Sequence, residues 1–344
     1  MLGIPSLIRS ISTRQLVYET RGPAPEKLLR LVSTVLPDDL EPEQVLLEWT
    51  ASPINPADIN QIQGAYPLKP KLPAIGGMEG VARIAKVGSS VKDLKIGDQV
   101  LSSYSLPGTW AEHGIFDQKD VIPIDNHLPL EHSAFLKVNP PSAYLMLKEF
   151  VKLQKGDWVV QNCANSAVGK QVIQISRILG FKTFNVVRNR ENVDTLVSEL
   201  KALGADDVIT EEELFDRKTK VPRGKLALNG VGGKSSLALA SGLETGGVMV
   251  TYGGMSRQPV QTPTGPLIFK DISIRGFWLL TWILKQQSES PHEIQKMFGE
   301  LAGWMKSGEI VASEFVARRL EEHETALAEA QIRFEKKQVF LMNQ

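Results

Sequence analysis

The stretch Trp158-Val-Val-Gln-Asn-Cys-Ala-Asn-Ser-Ala-Val-Gly-Lys-Gln-Val-Ile-Gln-Ile-Ser-Arg-Ile-Leu-Gly180 decides how the second half of the chain folds. Trp158 to Gln161 is a short apolar run ending in a loop of small and polar residues, which is a strand pattern. Val168, Val172, Ile173, Ile175 and Leu179 then recur at helical spacing, and Gly180 stands where a left-handed residue ends a helix. Further apolar runs at Thr183–Val187, Asp207–Ile209, Lys225–Asn229, Val248–Tyr252 and Ile272–Arg275 alternate with helical segments. Such βα alternation predicts a doubly wound parallel sheet. Beyond Pro291 the pattern predicts a helix to about Ser307, a strand at Phe315–Arg318, a helix at Glu321–Phe334 and a last strand at Gln338–Met342.

Before Pro129 the texture differs. From Arg14 to Pro123, short alternating runs broken by Pro and Gly (Gln15–Glu19, Leu28–Val32, Gln44–Glu48, Val81–Val87, Trp110–Phe116) predict a β-rich partial barrel. Helical stretches at Glu131–Val138 and Ser142–Val151 follow, placing a domain boundary near residues 130 to 140. The length, 344 residues, suits two domains. With 39 Lys+Arg against 39 Asp+Glu there is no electrostatic footprint for nucleic acid or an anionic membrane surface. The single cysteine, Cys163, forms no internal disulfide, and the five histidines show no metal-ligand spacing. Cys163 reads as a small buried filler or, less simply, a nucleophile. No apolar run approaches the length of a membrane span.

Met1 to Tyr18 carries Arg9, Arg14 and several hydroxyls, with no acid before Glu19 and with Ile4, Leu7, Ile8 and Ile11 at helical spacing. This is transit-peptide composition, with removal before Arg21 as the expected cut; a frayed cytosolic terminus is the competing reading. Arg9 interrupts the one stretch that a secretory signal could use.

The loop Asn162–Gly169 lies where a strand-to-helix turn offers backbone N–H groups and a positive helix end to a pyrophosphate. Its small residues are Ala164, Ser166, Ala167 and Gly169, short of a full G-x-G-x-x-G. After the next strand, Arg188 follows Gly169 by 19 residues, where an NAD site would place an acid. Arg188 and Arg190 instead present guanidinium forks suited to a 2′-phosphate, so the cofactor reading is NADPH. Thr251-Tyr-Gly-Gly-Met255 closes a later strand with two glycines that permit close approach to a ligand, or form an ordinary turn.

Together with Asn55-Pro-Ala-Asp-Ile-Asn60, Ile62-Gln-Gly-Ala-Tyr-Pro67, Gly76-Gly-Met-Glu-Gly80, Val138-Asn-Pro140, Val231-Gly-Gly-Lys-Ser-Ser236 and Arg275-Gly-Phe-Trp-Leu279, these segments resemble the medium-chain dehydrogenase/reductase superfamily, and in particular its mitochondrial trans-2-enoyl-thioester reductases. The resemblance implies a transit segment over residues 1–20, a GroES-like catalytic domain over 21–135 and 308–344, and a Rossmann NADPH domain over 136–307. It also implies a homodimer in the mitochondrial matrix that reduces enoyl-acyl-carrier-protein or enoyl-CoA for fatty-acid synthesis. By matching position it makes Tyr66 catalytic. The implied NADPH contacts are Asn139, Asn165, Ser166, Ala167, Val168, Arg188, Asn189, Arg190, Tyr252, Gly253, Gly254, Met255, Phe277, Trp278, Leu279 and Lys337. Ala167 departs from the glycine common in relatives, and Met78 from a polar residue seen in some.

Zinc-dependent members place Cys and His near the stretches here reading Pro56–Asn60 and Gly76–Gly80, which contain neither residue type, so no metal site is carried over. Reduction of an enoyl thioester develops negative charge on its oxygen and leaves the α-carbon to be protonated. A phenol, with an ordinary pKa of about 10, serves both needs as a neutral acid. Phe277 to Leu280 and Trp282 could line an acyl tunnel or form packed core. Two other functions compete: a zinc-free quinone or enone reductase, and a non-catalytic NADPH-binding protein.

Overall fold

A computed structural model describes residues 10–103, 108–216, 218–333 and 336–342. The chain forms two units, Met1–Lys137 with Ala312–Gln344, and Val138–Val311. In the first unit, β1 (Ser10–Tyr18), helix α1 (Pro25–Leu28), β2 (Leu29–Pro37), β3 (Gln44–Pro53), helix α2 (Pro56–Gln63), β4 (Ala74–Ile75), β5 (Val81–Val87), β6 (Gln99–Ser102), β7 (His113–Asp117), β8 (Val121–Pro123) and helix α3 (Leu130–Ser133) succeed one another. β1 pairs antiparallel with β2 from Ser10 opposite Pro37 to Tyr18 opposite Leu29, and with β4 at Val17 and Tyr18. Leu16 and Tyr18 alternate into the core and are fully buried.

The second half of the expected transit segment, residues 1–20, overlaps this strand. Ser10 to Tyr18 is an integral strand, and Ile11 belongs to it rather than to a helical face. Ile4, Leu7, Ile8 and Arg9 lie outside the described residues. A cut that spares the sheet therefore falls ahead of Ser10.

The larger sheet of this unit centres on β3, whose Val45, Leu47 and Trp49 face the core. Gly76 and Gly77 make room for an indole, since a Cβ on Gly76 would lie 2.3 Å from the Trp110 ring and one on Gly77 2.5 Å from it. The Gly76–Gly80 motif is thereby a packing motif, with Glu79 carried inside it.

The second unit begins with α4 (Asn139–Lys148), which starts three residues ahead of the expected Ser142. Pro140 and Pro141 suit a first helical turn, where a missing N–H costs nothing. There follow β9 (Trp158–Gln161), α5 (Ala167–Leu179), β10 (Lys182–Val187), α6 (Val193–Ala202), β11 (Asp207–Thr210), α7 (Glu211–Phe215), β12 (Gly224–Asn229), α8 (Gly233–Ser241), β13 (Leu243–Thr251), α9 (Thr264–Phe269), β14 (Ser273–Gly276), α10 (Leu279–Glu289) and α11 (Pro291–Lys306). The sheet is parallel, in the order β11-β10-β9-β12-β13-β14. That is the order of a doubly wound dinucleotide-binding sheet. β13 starts at Leu243, earlier than the apolar signal at Val248, because Glu244-Thr-Gly-Gly247 extends the strand through residues with no apolar alternation. The chain then returns to the first unit with β15 (Phe315–Arg318), α12 (His323–Ile332) and β16 (Lys337–Leu341), β16 pairing with β3. No helix among the described residues is long and apolar enough to cross a membrane.

Burying side chains such as Leu16 and Tyr18 is worth about 1.5–3 kcal/mol each. A chain starting at Arg21 is expected to lose the β2-β1-β4 sheet and to melt well below the full chain or to aggregate, as read by circular-dichroism melts. An unchanged melting curve would show that β1 is dispensable.

Candidate functional site

In the second unit the parallel strands all end at one edge of the sheet, and β9 lies at the switch point between β10 and β12, where a doubly wound sheet opens a crevice. The β9–α5 turn at this edge is tight, since a Cβ on Gly169 would stand 2.5 Å from the Ala164 carbonyl oxygen. Ser166 caps α5 and accepts from Gly169 N at 3.0 Å. The other first-turn N–H groups have no helical carbonyl to bond and face the loop end. Asn165, Ser166, Ala167 and Val168 are half-buried around this turn. The geometry fits a dinucleotide: small side chains, a helix N-terminus and no room for a bulkier residue at Gly169.

Arg188 and Asn189 are exposed and Arg190 half-buried, directly after β10. Burial pushes the Cys163 thiol up, while the Ser166 hydroxyl and the Arg188 and Arg190 charges pull it down. Glu211, at the start of α7, opposes them there, an acid that the sequence pattern had not placed nearby.

Tyr252 to Met255 follow β13. Tyr252 N donates to Asn229 O at 3.0 Å and Met255 N to Gly230 O at 3.0 Å. Phe277 to Leu279 follow β14, with Phe277 N donating to Thr251 O at 2.9 Å and its ring edge-on to Phe150 at 6.0 Å. Leu279 and Leu280 are core residues, whereas Trp278 is 38% exposed and is the member of the run with most surface to offer a ligand. The structure thus gathers the loops after β9, β10, β13 and β14 at one sheet edge. Asn139 is the buried first residue of α4, which packs along α5, so it reaches this unit from a helix rather than from a strand end.

Tyr66 and Lys337 belong to the other unit. Tyr66 follows α2, whose Gly64 takes a left-handed φ of 80°, and Tyr66 N donates back to Asn60 O at 3.1 Å. The loop beyond it is strapped from two sides, by Gln61 Nε2 on Leu68 O at 3.2 Å and Arg21 Nη2 on Pro70 O at 2.5 Å. Tyr66 is therefore half-buried on a short, anchored loop.

The opposite end of α2 is set in a buried charge network. Asn55 N donates to Asp58 Oδ2 at 2.7 Å, Asn55 Nδ2 to Glu79 Oε2 at 2.7 Å, and the Lys337 amine to Asn55 Oδ1. Lys137 Nζ donates to Met78 O at 2.5 Å, Ser102 Oγ at 2.8 Å and Ser103 O at 2.9 Å. Burial lifts the Asp58 carboxyl to about 7, helped by Glu79 and opposed by the Asn55 N–H and Lys337. Burial lowers the Lys137 ammonium to about 8 and lowers Lys337 as well, each resisted by Glu79 and Asp58. Sequence reading met Asn55, Asp58 and Glu79 only as marks of resemblance and passed over Lys137. The available signal was a lone charge inside an apolar run, Ala134-Phe-Leu-Lys-Val138. No group of three or more His, Cys, Asp or Glu among the described residues could hold a metal ion.

Residues 41–126 match the alcohol dehydrogenase GroES-like domain model and residues 167–302 the zinc-binding dehydrogenase model. The chain is 58% identical over 337 residues to a mitochondrial enoyl-[acyl-carrier-protein] reductase of Caenorhabditis elegans, covering 98% of this chain and 97% of that one. The chain belongs to the mitochondrial enoyl-[acyl-carrier-protein] reductase family. The human reductase of the same name is 44% identical over 319 residues, covering 91% and 84% of the two chains. Among solved structures, the Etr1p/NADP/crotonyl-CoA complex is similar at a TM-score of 0.88 and 34% identity, covering 96% of this chain and all of that one (100%). The Etr1p/Etr2p heterodimer of the mitochondrial 2-enoyl thioester reductase from Candida tropicalis gives the same TM-score, 0.88, and identity, 34%, and covers the two chains to 96% and 100%.

The raised Asp58 carboxyl makes stability pH-dependent. The folded form holds a proton up to about pH 7, whereas the unfolded side chain releases it near its ordinary 3.8, so stability from this group falls as pH rises through that window. Asp58→Asn removes this dependence. Its stability relative to the parent, measured by urea unfolding from pH 4 to 8, is expected to climb with pH, and a flat or falling difference would contradict the assignment.

Proposed function

We propose that the chain reduces the double bond of a trans-2-enoyl thioester, carried by acyl carrier protein or coenzyme A, with NADPH, in mitochondrial fatty-acid synthesis and in the matrix. The reading rests on 58% identity across 98% of the chain to a reductase of that name. The anchored Tyr66 and the Arg188/Arg190 pair support it from the structure.

Asn165 to Val168 would hold the pyrophosphate through loop and first-turn N–H groups. Arg188, Asn189 and Arg190 would take the 2′-phosphate in charge-assisted hydrogen bonds. Tyr252 to Met255, Phe277 to Leu279, Asn139 and Lys337 complete the proposed contacts. Lys337 keeps further N–H donors beyond the one engaged by Asn55. NADPH, when bound, supplies the hydride. Tyr66 hydrogen-bonds the thioester oxygen as charge grows there and protonates the α-carbon. The contacts to Asn60, Leu68 and Pro70 fix the backbone of its loop, and that restriction limits where the hydroxyl can lie.

The chain is proposed to act as a homodimer. β14 is an edge strand with Ser273, Arg275 and Gly276 exposed, and α9 presents Leu267, Ile268 and Phe269, the last 83% exposed. An open strand edge beside an apolar helix favours a second copy.

Turnover of crotonyl-CoA by the full chain should favour NADPH over NADH by about tenfold or more. Tyr66→Phe should lower kcat by about 10²–10⁴-fold with NADPH affinity within about twofold of the parent. Equal use of NADH, unchanged turnover in Tyr66→Phe, or preference for a quinone would each overturn part of this reading. Light scattering should give twice the chain mass, and Phe269→Asp the chain mass. A parent that is already monomeric would remove the dimer.

A further inference from the structure

At the carboxyl edge of the second unit's sheet, two asparagines sit fully buried side by side. Asn162 directly follows β9 and Asn229 ends β12. Asn162 Nδ2 donates to Asn229 Oδ1 at 2.9 Å and to Ser235 Oγ at 3.0 Å, and its Oδ1 accepts from Gly230 N at 2.7 Å. Asn229 Oδ1 also accepts from Val231 N at 3.2 Å and Gly232 N at 3.0 Å, and Asn229 Nδ2 donates to Thr251 Oγ1 at 3.1 Å. Backbone N–H groups only donate, so Gly230, Val231 and Gly232 settle which way each amide faces.

The bonds cross three neighbouring strands and converge on one turn. Gly232 and Gly233 take left-handed φ values of 87° and 55°, a shape that the amide acceptors hold by satisfying successive N–H groups. That turn in turn grips the loop after β13. Met255 N donates to Gly230 O at 3.0 Å, Ser256 N to Val231 O at 3.1 Å and Ser256 Oγ to Val231 O at 2.6 Å. A Cβ on Gly253 would come within 3.1 Å of Gly230 O, so the two loops lie in backbone contact.

We propose that Asn162 and Asn229 are positioning residues for the cofactor: a buried amide pair that sets the turn at Gly230–Gly233 and through it the loop Tyr252–Met255. This rests on the reading of Tyr252–Met255 as part of an NADPH site. Neutral amides suit the place, because they supply donors and acceptors in fixed directions without adding negative charge where phosphates would lie. The arginine pair follows β10, on the side of β9 away from β12, so the two ends of the nucleotide are governed by separate parts of the sheet edge.

That separation gives a readout which general loss of structure would not reproduce. Calorimetric titration of the full chain with NADPH and with adenosine 2′,5′-bisphosphate compares whole cofactor with its adenosine end. Asn229→Ala is expected to weaken NADPH by about tenfold or more while the bisphosphate changes by less than about twofold. Thr251→Val, which removes one acceptor from a chain that keeps its shape, should weaken NADPH by about two- to fivefold, and Thr251→Ser should restore it. Should Asn229→Ala not fold, the Thr251 pair decides. NADPH binding unchanged in Thr251→Val, or both ligands weakened in parallel, would overturn the proposal. A parent that binds no NADPH would instead sink the cofactor reading on which it stands.

Discussion

Gly169 sits so close to the Ala164 carbonyl that a methyl group there would overlap it, and the geometry of the nucleotide edge follows from that contact. The close turn brings the start of α5 up to the end of β9, so that first-turn N–H groups point out of the sheet edge instead of into solvent along its flank. With β9 at the switch point, the loops after β10, β12, β13 and β14 fall to either side of that helix end. A looser turn would leave the same residues on the same strands, without a common focus for them.

The other unit solves a different problem, holding a tyrosine still. α2 is only long enough to span from Pro56 to Gln63, yet both its ends are tied, one by backbone bonds around Gly64 and the other by charges buried with Asn55. Burying Asp58, Glu79 and Lys137, with Lys337 half-buried beside them, is costly in desolvation, and apolar residues of similar size would often pack as stably. What an apolar patch cannot do is choose one orientation, because dispersion contacts are tolerant of sliding and rotation while a hydrogen-bonded charge is not. The helix and the loop that follows it inherit that orientation through the backbone.

Strand positions in the second unit were legible almost to the residue: Trp158–Gln161 coincides with an observed strand, and the remaining runs shift by a residue or two except at β13. Buried parallel strands are continuous apolar runs, so pattern and structure report the same physical quantity. The arginines after β10 and the small residues of the β9–α5 loop were legible for a similar reason, since chemistry and chain position suffice to name them. At the N-terminus a basic, hydroxyl-rich, acid-free segment looks alike whether it directs import or pairs as a strand, and the pairing of Ser10–Tyr18 shows only once its partners β2 and β4 are in place.

The residues that no local pattern could supply are those whose meaning lies in a distant neighbour. Asn162 and Asn229 are 67 positions apart and hydrogen-bonded, and Lys337 reaches Asn55 across 282. Read along the chain, each is an ordinary polar residue near the end of an element. By itself, then, the amino-acid order determined the fold class and named the arginines and the tyrosine as candidates, because periodicity and side-chain chemistry are local properties. Which polar groups lose water together, and must therefore satisfy one another, was decided by the tertiary structure, because desolvation depends on everything that packs around a group in space.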